Sequence, residues 1–289
     1  MAFSDIALYA AKDTGHDRAI LYSDLDEGRD TISSLQRARV MIADALQNDR
    51  IEIYWQPIFD ATDLMPYEYE ILARLKDGDG VIRPPADFIP QAEALDLMDD
   101  IDRRVIELAL RAGADHHRHG QMIRLAVNIS ARSLNNEMAD HIVHTADETG
   151  YPLSYLTIEI TETAVLSVNS ESKAAVSRLV EAGISLSMDD FGSGATSFGN
   201  LESLPFSYMK LDGVYVRDLA TSKRGRELVT GLTQLAHTLG MKVVAEYVQD
   251  DETVEFLREI GVEYLQGFYL AEPEPVPTQL ASVAADNVR

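Results

Sequence analysis

Residues 156–192 read LTIEITETAVLSVNSESKAAVSRLVEAGISLSMDDFG, and this stretch decides the fold class. It opens with a β-rich run, Leu156–Thr161, and ends with a second one, Ile184–Asp189. Between them, Ala174–Ala182 carries apolar side chains at three- and four-residue spacing, which is typical of an amphipathic helix. Gly183 follows directly, and glycine is common just past the end of a helix. The stretch therefore predicts a strand, a helix and a second strand in an α/β protein.

The same alternation continues on both sides of this unit. Helices predicted at Arg226–Leu239 and Thr253–Ile260 also stop at glycines. Six more strands are predicted at Ile51–Ile58, Tyr67–Leu75, Ile123–Ser130, Phe206–Leu211, Lys242–Tyr247 and Tyr264–Leu270. Eight strands with helices between them fit a closed, TIM-like (β/α)8 barrel. A doubly wound sheet is the alternative, but the glycine-rich turn expected after its first strand is missing.

The chain outside the barrel divides into shorter segments. We expect the barrel domain at 49–275, a linker and lead-in helix at 23–48, and a loosely held tail at 276–289. Within the second of these, Asp24–Asp30 is a polar linker and Ser34–Leu46 has the apolar spacing of a helix. The opening Ser4–Arg18 predicts a separate short helix and turn.

Composition excludes several classes of function. Lys and Arg number 25 against 48 Asp and Glu, a net charge of −23, so long DNA or RNA is not expected as a partner. The chain has no cysteine, which excludes disulfides, thiol nucleophiles and cysteine zinc sites and agrees with a cytoplasmic location. The N-terminus lacks a signal-peptide pattern, and no apolar run could span a bilayer, so we expect no membrane contact.

Polar residues end seven of the predicted strands, and in a barrel of this kind the active site forms at those ends. They are Glu70, Asn128, Glu159, Asp189, Asp190, Lys210, Glu246 and Gln266. A lone charged residue at a strand end is usually solvated. The glutamates, however, interrupt apolar strands, where a buried carboxylate needs a cation or hydrogen-bond donors. One lysine cannot neutralise five acids, so we predict a divalent metal ion.

The ligand types indicate which metal and which chemistry. Carboxylate and amide oxygens favour Mg²⁺ or Mn²⁺ over Zn²⁺. Adjacent Asp189 and Asp190 can serve two ions, and paired ions generate a hydroxide and support displacement at phosphorus. Phosphoester hydrolysis is therefore predicted, with Lys210 beside the attacking water or the phosphorane oxygens. Glu162 could hold the loop that starts at Phe191, or it could be an ordinary solvated acid.

The histidines do not compete for this role. None has metal-site spacing, and all those weighed are expected at the surface: His116, His117, His119, His141 and His144.

The order of short motifs from about Tyr54 to Pro273 resembles that of EAL-domain cyclic di-GMP phosphodiesterases. The matching segments are Gln56-Pro57-Ile58, Glu70-Ile71-Leu72 with Arg74, Phe88 to Glu93, Val127 to Arg132, Glu159 to Glu162, Asp189 to Gly192, Lys210-Leu211-Asp212, Val244 to Glu246 and Gln266-Gly267-Phe268. The resemblance implies a barrel with one antiparallel strand that hydrolyses cyclic di-GMP to linear pGpG. It also implies two Mg²⁺ or Mn²⁺ ions, Ca²⁺ binding without turnover, and a homodimer.

The resemblance also implies roles for individual residues. Metal coordination falls to Glu70, Asn128, Glu159, Asp189, Asp190 and Glu246, with both aspartates in the catalytic centre. Lys210 would activate water or stabilise charge, and Glu162 would anchor the loop after Asp190. Gln56, Arg74 and Gln266 would help to hold the dinucleotide or the site around it. The chain departs from the family pattern at Ile71, Ala195-Thr196, Tyr247 (usually Gly) and Gln249 (usually Glu). Ile71 is expected to face away from the site. Tyr247 adds bulk and Gln249 removes a negative charge at the rim, so these two changes could lower metal affinity or rate.

Residues 1–22 resemble the last helix of a GGDEF domain, which implies a piece of a longer GGDEF–EAL regulator; an unrelated amphipathic helix is the alternative. Two other functions remain open. One is a non-catalytic cyclic di-GMP receptor, and the full set of ligands argues against it. The other is a glycoside hydrolase that uses Glu159 and Glu246, although Asp189, Asp190 and Lys210 would then be idle.

Overall fold

The computed structural model describes residues 26–192 and 204–277, with side chains from residue 34 onward. Three features predicted from the sequence lie outside these residues. They are the helix and turn at Ser4–Arg18, the loop residues Ala195-Thr196, and the tail from residue 278. Within the described residues, no helix has the length and apolar character needed to cross a membrane.

Eight strands close into a barrel. They are β1 (Ile51–Asp60), β2 (Pro66–Lys76), β4 (Leu125–Asn128), β5 (Leu156–Thr161), β6 (Ser185–Phe191), β7 (Tyr208–Leu211), β8 (Lys242–Ala245) and β9 (Tyr264–Leu265). The order around the barrel is β1-β9-β8-β7-β6-β5-β4-β2, and a β1–β2 pairing closes it. Strands β2 to β9 pair in parallel along this order, whereas β1 runs antiparallel to β9. The predicted (β/α)8 barrel with one antiparallel strand is confirmed.

The described residues also contain two short strands, nine α-helices and two 3-10 helices, the last at Pro85–Asp87 and Leu153–Tyr155. Strand β3 (Ile82–Arg83) pairs with the end of β2, and β10 (Glu274–Pro275) pairs with β1, both antiparallel. The helices are α1 (Asp26–Gln47), α2 (Ile89–Ala94), α3 (Met98–Arg118), α4 (Asn136–Thr149), α5 (Glu162–Val165), α6 (Ser170–Glu181), α7 (Gly213–Val216), α8 (Lys223–Thr238) and α9 (Asp251–Glu259).

The chain divides into two compact units. One comprises residues up to 50 together with 75–97 and contains α1, β3 and α2. The other comprises residues 51–74 and everything from Met98 onward. Helix α1 begins at Asp26, so most of the segment expected to be a polar linker is helical. The second unit contains all the predicted site residues.

Polar caps explain why helices begin earlier than their apolar spacing suggests. The side chain of Asn169 accepts hydrogen bonds from two backbone N–H groups and starts α6 at Ser170, four residues before the predicted start. Ser222 and Asp250 cap α8 and α9 in the same way. The glycine stops are confirmed, since Gly183 adopts a positive φ of 97° directly after α6 and its C-cap.

The last strand is much shorter than predicted because the chain turns away at Gly267. A Cβ at this position would lie 2.2 Å from the carbonyl oxygen of Val248, so only glycine fits this close approach of two backbones. Strand β9 therefore ends at Leu265, and Gln266 donates its backbone N–H to Ala245. This turn holds Gln266 at the end of the barrel.

Side chains in the barrel interior form layers, because residues two apart on a strand face the same side. The lower layer, which lies further from the carboxyl ends of the parallel strands than the charged layer, is largely apolar and aromatic, with Ile58, Val244 and Tyr264 packed together. Glu68 also lies in this layer, where its carboxylate accepts a 2.6 Å hydrogen bond from Thr157. The charged residues of the predicted site lie two positions further along the strands.

A buried aspartate on α3 binds the segment that follows β4. Asp102 on α3 accepts a 3.0 Å hydrogen bond from the backbone N–H of Ser130, and the Ser130 and Ser133 hydroxyls bond to each other at 2.8 Å. Burial raises the pKa of Asp102 to about 6. Since Ser130 lies two residues after Asn128, this contact fixes the chain that carries the Asn128 side chain.

We predict that Asp102→Asn makes stability less dependent on pH. The folded carboxyl, with a pKa of about 6, holds a proton that the unfolded one, near 3.8, has released. The wild-type free energy of unfolding should therefore fall by roughly 1–3 kcal/mol through this group between pH 4 and 7. Asparagine keeps the acceptor oxygen without the charge. The free energy of unfolding of the variant should therefore rise relative to that of the wild type as the pH rises. Urea unfolding across this range measures the difference, and a pH-independent difference would contradict the prediction.

Candidate active site

One buried ammonium group lies among four carboxylates at one end of the barrel; three of the acids lie at or near the carboxyl ends of their strands, whereas β2 continues for six residues past Glu70. Lys210 on β7 is 1% exposed. Its Nζ atom lies 2.8 Å from Glu246, 3.0 Å from Asp189, 3.2 Å from Glu159 and 3.4 Å from Glu70. Strands β2, β5 and β6 and the residue after β8 each supply one of these acids. The structure thus brings together the charged residues that the sequence placed at separate strand ends.

Two amide side chains join the carboxylates. Asn128 lies opposite Glu159 in the β4–β5 register, and its Nδ2 donates to Glu70 at 3.0 Å and to Glu159 at 3.2 Å. Gln266 donates to the other oxygen of Glu70 at 2.7 Å. Each amide is held by a strand or by the turn that follows it, so the cluster has a fixed geometry.

The cluster has more negative charge than its lysine can balance. Burial raises the pKa of Glu159 well above its usual range and raises the pKa of Glu246 to about 8, with neighbouring carboxylates adding to both shifts. Burial alone would lower the pKa of Lys210, but the surrounding acids, Asp189 first, raise it well above its usual value. Lys210 therefore stays charged, and the negative charge that it leaves unbalanced can be met by protons on these acids or by a further cation.

The donors fit a metal ion. Oxygens of Asp189, Asp190 and Glu246 all lie within 4.8 Å of one another. The Oδ1 atom of Asp189 is buried and pairs with Lys210 by charge, yet it accepts no hydrogen bond from the described residues. Asp190 has a positive φ of 55°, and burial together with Asp189 and Asp212 raises its pKa to about 6. Oxygen donors of this kind suit hard divalent cations.

Glu162 is buried and binds Gly192, the residue directly after β6. It is 1% exposed, and its carboxylate accepts a 2.5 Å hydrogen bond from the backbone N–H of Gly192. The Tyr215 hydroxyl donates to the carbonyl of the same glycine. Gly192 has a φ of 97°, and a Cβ there would lie 2.2 Å from the Tyr215 ring, so glycine is required. The solvated alternative for Glu162 is thus wrong, and the sequence analysis missed Tyr215.

A cavity of about 300 Å³ opens above the cluster. Four of the acids line it, namely Glu70, Asp189, Asp190 and Glu246, together with Gln56 and Gln266. Its other lining residues are Tyr247, Val248, Gln249, Gly267 and Phe268. Both substituted positions after Glu246 therefore face the cavity.

Arg74 lies outside this lining. Its guanidinium stacks on Tyr54 at 4.8 Å and donates to the carbonyl of Ala73 at 2.9 Å. Gln56, which does line the cavity, donates to the carbonyl of Ala271 at 3.0 Å.

The expectation of surface histidines is wrong for His116. This residue is 4% exposed, and its ring lies 5.0 Å from the ring of Trp55. It bonds to Gln121 at 2.9 Å, so packing and a local hydrogen bond explain its position. Within the part of the chain that the structure describes, no histidine lines the cavity.

We predict that Lys210→Met destabilises the metal-free protein by about 3 kcal/mol at pH 8, because four buried carboxylates lose their shared cation. The loss should shrink at pH 5, where the acids with raised pKa values are protonated. Urea unfolding in the presence of EDTA measures both values. Lys242→Met is the matched control, since Lys242 bonds a tyrosine hydroxyl in the lower part of the barrel. Equal stabilities for both variants at pH 8 would contradict the prediction.

Known proteins share this sequence pattern and fold. A sequence profile described as the EAL domain matches residues 39–273. The cyclic di-GMP phosphodiesterase PdeB of Shewanella oneidensis is 31% identical over 275 residues, covering 94% of this chain and 32% of PdeB. The cyclic di-GMP phosphodiesterase RocR of Pseudomonas aeruginosa is 33% identical over 233 residues, covering 80% of this chain and 59% of RocR.

The fold also matches solved structures. The PaMucR phosphodiesterase in complex with c-di-GMP has a TM-score of 0.76 and 28% identity, covering 84% of this chain and 98% of that chain. The chain spans about a third of the length of the first curated relatives that it matches. Since the profile covers most of the sequence and the described barrel, the chain belongs to the EAL domain family.

Proposed function

We propose that this chain hydrolyses cyclic di-GMP to linear pGpG. The observation that carries the proposal is the set of four carboxylates that surround Lys210 at one end of the barrel, beneath an open cavity. Relatives over most of the chain are named cyclic di-GMP phosphodiesterases, and a structural neighbour is a phosphodiesterase in complex with c-di-GMP.

The acids would hold two Mg²⁺ or Mn²⁺ ions. The proposed ligands are Glu70, Asn128, Glu159, Asp189, Asp190 and Glu246. Asn128 would present its amide oxygen after a rotation of the side-chain amide. When bound by these residues, paired hard cations would supply Lewis-acid activation of water and stabilisation of the charge that develops at phosphorus. Calcium, a larger oxygen-seeking ion, is expected to bind without supporting turnover.

The protein's own groups orient the reaction. Lys210 stays protonated in this acidic setting, so its ammonium can stabilise negative charge that develops on the phosphoryl oxygens or on the attacking water. Water oxygen bonds to phosphorus as the bond from phosphorus to one 3′ oxygen breaks, and a proton equivalent to the one that the water loses is taken up by that oxygen, which leaves as a hydroxyl. The linear product retains a 5′ phosphate. Glu162 acts through Gly192 and holds the segment next to Asp190 in place.

Substrate contacts fall to the cavity walls. Gln56 and Gln266 line the cavity and would hold the dinucleotide. Arg74, which is stacked on Tyr54, would either contact the outer part of the ligand or offset part of the negative charge of the site.

Further proposals concern the segments outside the barrel, the oligomeric state and the location of the protein. We infer that residues 1–22 are the end of a GGDEF domain in a longer regulator, and that the segment boundaries at 23–48, 49–275 and 276–289 hold in it. We also infer a homodimer and a cytoplasmic location. These rest on the sequence resemblance and on the composition.

We predict that wild-type protein converts cyclic di-GMP to pGpG in Mg²⁺ or Mn²⁺, and that Glu70→Gln lowers kcat at least 100-fold. The reason is that Glu70 contacts Lys210, Asn128 and Gln266 at once. Chromatographic separation of the nucleotides measures the rates. Glu68→Gln is the matched control, because it makes the same change on the same strand and face, one layer lower, and should stay within a few-fold of wild type.

Each alternative has its own outcome in this experiment. Tight binding of cyclic di-GMP without product in Mg²⁺ or Mn²⁺ would favour the receptor. Cleavage of an aryl glycoside, lost on changing Glu159 or Glu246, would favour the glycoside hydrolase. Brisk hydrolysis in Ca²⁺ alone would contradict the proposed metal selectivity.

A further inference from the structure

Tyr247 is an aromatic residue held in an unfavourable backbone conformation at the cavity rim. It follows Glu246 directly, and its φ is +59°, in the left-handed region that residues with a Cβ avoid. Its side chain lines the cavity and is 53% exposed. Because about half of the side chain is exposed to solvent, its burial contributes little stability. Packing alone therefore does not explain why the residue is kept in this backbone conformation.

The surroundings hold the ring in one orientation. A Cβ at Gly213 would lie 2.6 Å from Cδ2 of Tyr247, and Gly213 itself has no positive φ. The glycine is therefore required there to make room for the tyrosine ring. Arg217, just after α7, places its guanidinium carbon 4.7 Å from the ring centroid. Both contacts come from the segment after β7, so the ring is fixed relative to Lys210 at the end of that strand.

This arrangement suits a stacking platform. Planar bases stack on aromatic side chains whatever their sequence, and a cation against the ring adds to its attraction for electron-rich groups. Much of the ring remains exposed beside the cavity although Arg217 packs on it. A phosphodiester at the carboxylates of Glu246 and Asp189 would place the attached nucleoside within reach of the rim.

We propose that Tyr247 stacks against a nucleobase of the bound cyclic dinucleotide and sets the affinity for substrate. The proposal rests on the proposed function, since it needs a nucleotide in this cavity. Tyr247 touches none of the reacting atoms in this account. It therefore contributes to binding rather than to the chemical step.

Three variants test the proposal in the full chain. Tyr247→Asn removes the ring, and asparagine tolerates a positive φ well. Tyr247→Phe keeps the ring. Leu64→Asn is the matched control, because Leu64 also has a positive φ, 55°, and lies in the turn between β1 and β2 outside the cavity lining. For each protein, kcat and KM for cyclic di-GMP are measured in Mg²⁺, and Kd is measured by calorimetry in Ca²⁺.

We expect Tyr247→Asn to raise KM and Kd about 5- to 150-fold, the range for loss of one stacked base, with kcat within about threefold of wild type. Tyr247→Phe should restore both constants to within about threefold of wild type, and Leu64→Asn should match wild type. Unchanged Kd and KM in Tyr247→Asn would overturn the proposal, and so would a higher kcat/KM, which would mean that the ring obstructs the cavity.

The two proposals can fail separately. Wild-type protein that binds cyclic di-GMP without turnover in Mg²⁺ or Mn²⁺ contradicts the proposed hydrolysis, while the Kd values of the variants still test the stacking role. Wild-type turnover with identical constants in all variants contradicts the stacking role and leaves the hydrolysis supported. Absence of both binding and turnover contradicts both proposals.

Discussion

The contact of the Lys210 ammonium with Glu70, Glu159, Asp189 and Glu246 sets the main constraint on this structure. A charged group that is 1% exposed must be compensated, and so must each buried acid. The four acids come from segments that are distant in sequence, so the compensation exists only when the barrel is closed. The same closure that satisfies these charges also forms the site, and folding and function depend on one set of residues.

Much of the barrel and of its acidic site could be predicted from the sequence, because the spacing of apolar residues distinguishes strands from helices along the chain. Strands such as Leu156–Thr161 are bounded by clear turn and helix signals, and the carboxyl ends of parallel strands must meet at one end of a barrel. The acids at those ends were therefore identifiable as neighbours. Short strands were overestimated where a backbone contact ends them, as at Gly267 against Val248, because such contacts leave no local pattern.

The residues that were missed act through tertiary contacts. Tyr215, which lies on α7, donates a hydrogen bond to the carbonyl of Gly192, and the residues next to Tyr215 in the sequence give no indication of that partner. The burial of His116 against Trp55 joins α3 to β1 in the same way. The strained backbones of Asp190 and Tyr247 were also invisible in the sequence, yet both lie at the cavity. Left-handed backbone at two residues that line the cavity agrees with a rim shaped for a ligand, although Asp49, Leu64 and Asp96 adopt it elsewhere.

Anomalous diffraction from crystals grown with Mn²⁺ tests the central claim most directly, because it locates the ions themselves. The account predicts two manganese peaks about 4 Å apart, within coordination distance of oxygens from Glu70, Asn128, Glu159, Asp189, Asp190 and Glu246. Density for manganese elsewhere on the surface, with Lys210 still in contact with all four carboxylates and no ion among them, would contradict it.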